Sequence, residues 1–238
     1  MVSVVIHTNM GLKNQTACAG WLHDGFKRHG INAVVTGSRT QEADVHVIQG
    51  PHYAYQEWVG KPNVLWLNRC FYGHDFYDLS LGWLLPDGSR DFCVWNVDVP
   101  NGDTPELQPM KDRTGKRACA VVFGDYGQDP AGMIREARNK YGRVYYHAHP
   151  ADRHRQSPAL SPDWTLEQIW DVADVAVGGQ STVLVEAAIN GLQVETSDPR
   201  HVCADIPDRE QWLMDLSWAQ WHYTQLASGD FWEHLCTQ

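Results

Sequence analysis

Apolar and polar positions along this chain fall into short blocks that change period from two to about four and back. Residues 2–7 open with a β-branched run that suits a buried parallel strand. After a loop at 8–11, residues 14–29 carry Ala17, Leu22 and Phe26 at helical spacing, and Gly30 stops that helix. Further strands are predicted at 31–36, 44–49 and 63–67, and two short ones at 82–85 and 92–95 flank the turn Pro86-Asp87-Gly88. Strands that alternate with helical segments predict a parallel sheet with crossover helices.

Residues 101–116 break this rhythm with Gly102, Pro105, Pro109 and Gly115 among polar neighbours, which marks a lobe boundary. The grammar then restarts. Cys119–Phe123 predicts a buried strand, 130–141 a helix with Pro130 in its first turn, and Arg143–His147 a strand. A helix at 165–172, a strand at 175–177, a helix at 181–190 and a strand at 192–195 follow. One long helix is expected at 208–227 and a shorter one near 231–235. The expectation is an α/β chain of two Rossmann-like lobes, residues 1–105 and 106–238, with the C-terminal helices packing across the lobes.

Composition narrows the class. The chain has 238 residues, 43% hydrophobic and 20% charged, which is a globular profile. A net charge of -10 argues against indiscriminate phosphate binding, which needs Lys and Arg to release counterions. The 11 tryptophans supply core or lobe-interface area, and they are also the residue type that stacks on sugars and bases. Cys18, Cys70, Cys93, Cys119, Cys203 and Cys236 have no CxxC spacing and no zinc pattern, so reduced thiols and a cytoplasmic location are expected. The N-terminal run lacks a basic n-region, and no stretch is long and apolar enough to span a bilayer.

The chemistry concentrates at residues 173–191, which read as strand, glycine turn, helix and glycine stop. Gly178 and Gly179 permit close approach of a ligand, and Ser181 or Thr182 sits where a helix begins, a place suited to an anion. Glu186, one turn on, is placed to accept from ribose hydroxyls; an ordinary N-capped turn with a solvated Glu would carry the same residues. His147-Ala148-His149-Pro150 follows a strand directly, and ligands in open parallel sheets bind at the carboxyl ends of strands. His149 is thus expected on the same rim, where an imidazole donates to a phosphate. No third ligand accompanies the two histidines, so no metal is expected.

His149-Pro150, a helix, Ala173-Asp174-Val175, Ser181-Thr182, Glu186-Ala187 and Gly191 together resemble GT-B-like glycosyltransferases, most of all capsule-type and Kdo-type sugar transferases and related phage-encoded proteins. Asn68-Arg69, Tyr72-Gly73, 80–83 and 218–221 through 229–232 look similar to the same group. The resemblance implies a nucleotide-sugar donor as substrate and no cofactor. It assigns His149, Pro150, Ser181 and Thr182, with the strand-end glycines Gly124 and Gly179, to the donor phosphate side and Glu186 to the ribose. It further implies metal-independent chemistry, in keeping with a sequence that has no DxD pair.

A transferase also needs a base near the acceptor hydroxyl, expected from the N-terminal lobe. Candidates are Asp75 and Asp78 in a stretch that reads as a loop after the fourth strand, with His74 beside them, then Asp91 and His7. Arg69 is placed to meet a phosphate or an acidic acceptor. The acceptor expected is a polysaccharide or, following the phage likeness and then in a host cytoplasm, a hydroxymethylated DNA base flipped from its stack. Two alternatives share the features: a nucleotide- or sugar-binding module without catalysis, and a nucleotide-sugar epimerase.

Overall fold

A computed structural model describes residues 2–38, 41–49, 58, 61, 63–69, 75–80, 99–102, 104–125, 129–149, 160, 162–179, 181–199 and 201–237; of Asn68, Arg69, Phe76, Asp78, Ser80 and Thr237 only the backbone is described. The strands expected at 82–85 and 92–95, and with them His74, Asp91 and Pro150, lie outside the described residues. The chain divides into two compact units, Met1–Thr104 with Asp208–Gln238, and Pro105–Pro207. Both are Rossmann-like α/β layers.

The first unit is built on β1 (Ser3–His7), β2 (Asn32–Thr36), β3 (Val45–Gln49), β4 (Val64–Arg69) and β5 (Phe76–Ser80), with helix α1 (Lys13–Arg28) between β1 and β2. Strands β4-β3-β1-β2 run parallel, as the buried β-branched runs require. Their pleat divides the side chains cleanly. Val4, Ile6, Val47, Leu65 and Leu67 pack under Cys18, Ala19, Leu22 and Phe26 of α1, while Ile48, Val64 and Trp66 form a second cluster against Trp58 on the other face. Ala17, expected on the apolar stripe, is exposed; Cys18 and Ala19 take that place.

Two expectations fail in this unit. Residues 76–80 are not a loop: β5 pairs antiparallel with β4, setting Arg69 opposite Tyr77 and Asn68 opposite Asp78. Nor is the terminal segment one long helix. It forms α5 (Arg209–Ser217), strand β10 (Gln220–His222), α6 (Tyr223–Ser228) and α7 (Asp230–Thr237). Ala219, Gln220 and Trp221 are buried in succession, which a surface helix cannot arrange but a covered strand can. β10 extends the sheet antiparallel to β5, Leu79 N donates to Ala219 O at 2.9 Å, and Asn101 N donates to Ser217 Oγ at 2.8 Å to hold the turn.

The terminal helices therefore cross back from the C-terminal half and belong to the first unit, not to a 106–238 lobe. The physical reason is apolar area. Phe231 stands edge-on to Phe26 with centroids 5.1 Å apart, and His29 at the end of α1 reaches Gly229 O at 3.0 Å. Gly229 makes the sharp turn between α6 and α7 with φ of 91°.

The second unit carries β6 (Cys119–Phe123), α2 (Ala131–Lys140), β7 (Arg143–His147), α3 (Leu166–Val172), β8 (Val175–Gly178), α4 (Val183–Ile189) and β9 (Gln193–Thr196). Its four strands are all parallel in the order β7-β6-β8-β9. Ala120, Val122 and Val175 pack with Ile134 and Ala137 of α2, whereas Phe123 on the opposite pleat meets Trp170 of α3. α2 and α3 thus cover opposite faces. Residues 105–117 are strapped to this unit by Gln108 N to Ile189 O (2.9 Å) and Lys111 N to Gly191 O (2.7 Å).

A Cβ at Gly25 of α1 would fall onto Leu226 O and stand 3.0 Å from the Phe231 ring, whereas one at Gly20 on the same helix meets nothing within 4 Å. Gly25→Ala is expected to lose about 1–3 kcal/mol of stability by overpacking. Gly20→Ala is expected to gain about 0.5–1 kcal/mol by backbone entropy. Urea midpoints at constant m-value check the pair.

Candidate functional site

In the second unit the chain runs from β6 outward to β7, then returns past β6 to β8 and on to β9. Right-handed crossovers in opposite directions send the connections after β6 and β8 to opposite faces of the sheet. The carboxyl ends of those two strands are therefore a topological switch point, where open α/β sheets leave a crevice for ligands. Sequence reasoning treats β7 and β8 as neighbours; β6 lies between them, and its end at Gly124-Asp125 is the centre of the rim.

Glycine is required at two places on that rim. A Cβ on Gly124 would fall onto the Tyr146 phenol and stand 3.1 Å from His149 N; a Cβ on Gly179 would fall onto Asp125 Oδ2. Gly124 N donates to His147 O at 2.9 Å, so the loops after β6 and β7 stay side by side. On the other flank Ser197 N donates to Gly178 O at 2.9 Å, and Thr196 Oγ1 donates to Gly179 O at 2.6 Å. These bonds bring the loop after β9 against the glycine turn. Asp125 is 7% exposed and belongs to the rim, although its only sequence signal is a Gly-Asp step at a strand end.

Ser181 is half-buried, Thr182 exposed and Glu186 half-buried in the first turn of α4. No side chain caps this end of α4, so the Ser181 and Thr182 hydroxyls do not serve as N-caps. His149 is half-buried just beyond β7. His147, one residue pair earlier, has its imidazole held below the usual histidine range by burial, opposed by Asp163.

A separate cavity of about 330 Å3 lies between α2 and edge strand β9, with Met133, Ala137 and Val194 in its lining and the Lys140–Glu195 ion pair (2.9 Å) among its walls. It touches the rim through Thr196 and Ser197. One helix about 10 Å wide cannot cover four strands about 4.8 Å apart, which is why this strip stays open.

The first unit has its own switch point between β1 and β3, and polar side chains of the described residues gather there. His7 Nδ1 lies 2.8 Å from Ser38 O and His7 Nε2 lies 3.1 Å from His46 Nδ1, while Thr8 Oγ1 donates to Gln49 Oε1 at 2.7 Å. A carbonyl only accepts, so neutral His7 carries its proton on Nδ1, and its Nε2 accepts from His46. Trp58 lies over both rings, 4.4 Å from His46 and 5.4 Å from His7 by centroid, and the Lys61 ammonium lies over Trp58. Burial holds both imidazoles below the usual range; for His46 the neighbouring His7 and Lys61 add to this, opposed by the Ala43 carbonyl and Glu42. His7 is 1% exposed. Of the carboxylates named as bases, Asp75 is exposed in the turn before β5 and Asp78 lies within β5. Among the described residues no three His, Cys, Asp or Glu gather as a metal-binding group, and no helix is long and apolar enough to cross a membrane.

No protein-family model matches this sequence, and no curated protein matches it. Solved structures do match in fold. Among them is the beta Kdo 2,7 transferase KpsC of Thermosulfurimonas dismutans, with 12% identity, a TM-score of 0.54, and coverage of 100% of this chain and 99% of that one. At that identity the likeness is one of fold.

The buried imidazoles make stability pH-dependent. His7, His46 and His147 protonate less readily folded than unfolded, where the value is about 6.5. The unfolded chain therefore takes up more protons as pH falls below about 6.5, and stability drops there while staying level above it. Urea midpoints between pH 8 and pH 5.5 are expected to show this fall, and His46→Gln to flatten it.

Proposed function

We propose that this chain is a glycosyltransferase that moves a sugar from a nucleotide-sugar donor to an acceptor hydroxyl. The observation that carries the reading is the glycine-lined switch point at the ends of β6 and β8, where Gly124 and Gly179 flank Asp125, where Ser181, Thr182 and Glu186 follow β8, and where His149 follows the neighbouring β7. Fold likeness to a chain named as a Kdo transferase agrees with it.

In this reading the donor phosphate sits on the Ser181–Thr182 turn. The hydroxyls and the N–H groups of the first turn of α4 donate to it, and the His149 imidazole adds a further donor. Glu186 accepts from the ribose. Asp125, a carboxylate at the centre of the rim, repels phosphate and suits a hydroxyl, which confines the charged part of the donor to the α4 side. During transfer the acceptor oxygen bonds to the anomeric carbon as the bond from that carbon to the phosphate oxygen breaks. The leaving nucleotide keeps the electron pair, and the donors around the phosphate stabilise its growing charge. The acceptor proton passes to a carboxylate of the first unit. We assign that role to Asp75, which is exposed, rather than to His7, which is 1% exposed with both ring nitrogens at hydrogen-bond distance from protein atoms. The chain's own side chains and backbone N–H groups carry these steps in this reading, with the nucleotide sugar as substrate.

A polysaccharide fits as acceptor better than a hydroxymethylated base in DNA, because a net charge of -10 opposes a polyanion. The alternatives of an inert binder and an epimerase are separated from a transferase by products: none from the first, and an altered donor sugar still on its nucleotide from the second.

A panel of nucleotide sugars is expected to contain one that raises the thermal midpoint, since a ligand at 100 times its Kd adds about 2.7 kcal/mol of stability. Gly179→Ala, which drives a methyl into Asp125, is expected to remove that shift. Asp75→Asn is expected to lower kcat by about 100- to 10,000-fold and leave donor affinity unchanged. A panel without any shift would overturn the donor site, and full turnover in Asp75→Asn would overturn the base.

A further inference from the structure

The first unit carries an aromatic cluster that none of the steps above uses. Trp21 of α1, Tyr77 of β5 and Tyr223 at the start of α6 come together from three elements, with Trp21 centroids 5.7 Å from Tyr77 and 5.0 Å from Tyr223. All three are half-buried. Their inner edges rest on or beside the core, where Trp21 and Tyr77 pack against its buried residues, and part of each remains at the surface. Polar groups stand beside them. Tyr223 N donates to Asp75 O at 3.0 Å, which fixes the turn bearing the exposed Asp75 carboxylate next to Tyr223. The His222 ring lies 4.4 Å from that of Tyr223, and its Nδ1 is 2.7 Å from the Thr224 hydroxyl and accepts from Thr224 N at 3.4 Å.

We propose that Trp21, Tyr77 and Tyr223 form a stacking platform that binds the face of an uncharged saccharide, with Asp75 and Thr224 as the rim that takes its hydroxyls. It deepens the transferase reading, on which it rests for calling this saccharide the acceptor. A sugar ring offers C–H groups on a face and hydroxyls around its edge. Flat side chains with few rotamers match the first at small entropic cost, and a carboxylate and a hydroxyl match the second. The Asp75 carboxylate and a chain charge of -10 disfavour uronic acids, phosphates and nucleic acids, against the one positive group of β4, Arg69, whose backbone pairs with Tyr77. A protein partner would need roughly 800 Å2 on this side, more than three half-buried rings provide.

The test uses the full chain without any donor, titrated calorimetrically with cellopentaose, maltopentaose and chitopentaose, and with trigalacturonate and a ten-residue oligothymidylate for comparison. Binding of at least one uncharged pentasaccharide is expected, weakened at least tenfold by Tyr223→Ala and kept by Tyr223→Phe, with thermal midpoints verifying that each variant is folded. Should Tyr223→Ala fail to fold, Trp21→Leu reads the same loss. Absence of binding by all three pentasaccharides, equal binding by the Ala and wild-type chains, or preference for either polyanion would overturn the platform. The donor-induced thermal shift is a separate measurement: its absence would sink the transferase reading with saccharide binding intact, and loss of saccharide binding alone would leave the donor site standing.

Discussion

The constraint on which this molecule turns is the handedness of parallel crossovers. A strand followed by a helix and a parallel strand must cross over in the right-handed sense, so reversing the direction of travel across a sheet changes the face on which the next helix lies. The second unit reverses once, between β7 and β8, and its helices α2 and α3 accordingly cover opposite faces. The connections after β6 and β8 leave toward opposite faces, and Gly124 and Gly179 stand at those strand ends. Glycine is needed there because Asp125 and the Tyr146 phenol already occupy the positions a methyl would take.

The first unit obeys the same rule and resolves it differently. At its reversal between β1 and β3, among the described residues, His7 is hydrogen-bonded to His46 and Thr8 to Gln49, with Trp58 tilted against both imidazoles. Buried polar groups that satisfy one another need no ligand to do so. Among the described residues the two switch points differ in side-chain size: glycines at one, imidazoles at the other. That contrast is why the donor is assigned to the second unit and the general base to an exposed turn of the first.

The antiparallel edge of the first sheet has a further consequence. β5 and β10 extend four parallel strands, and the returning C-terminal segment lays Leu226 and Phe231 into the core under α1. The same return brings Tyr223 beside Asp75 and gathers side chains from positions 21, 77 and 223. The aromatic platform is a product of how this edge closes.

Much was legible in the sequence for a local reason. Runs such as Cys119–Phe123 and Arg143–His147 are strands because buried parallel strands need unbroken β-branched and aromatic stretches, and their limits agree with the pattern. The two-lobed grammar, the break near residue 105 and the glycine turn before Ser181 are likewise short-range signals. What the sequence could not show depends on partners distant along the chain. Residues 208–227 have a helical pattern, yet Gln220–His222 becomes a strand because β5, some 140 positions earlier, offers an unpaired edge. Strand order placed β6 between β7 and β8 and so made Asp125 central, although nothing about an isolated Gly-Asp step sets it apart. His7 likewise reads as a strand-end imidazole and a candidate base; only the register that sets Val5 opposite His46 and His7 opposite Ile48 closes a second histidine onto it. Local pattern specifies which segments form elements. Which side chains meet is decided by pairing and crossover, whose free energy is gained only when the whole sheet assembles.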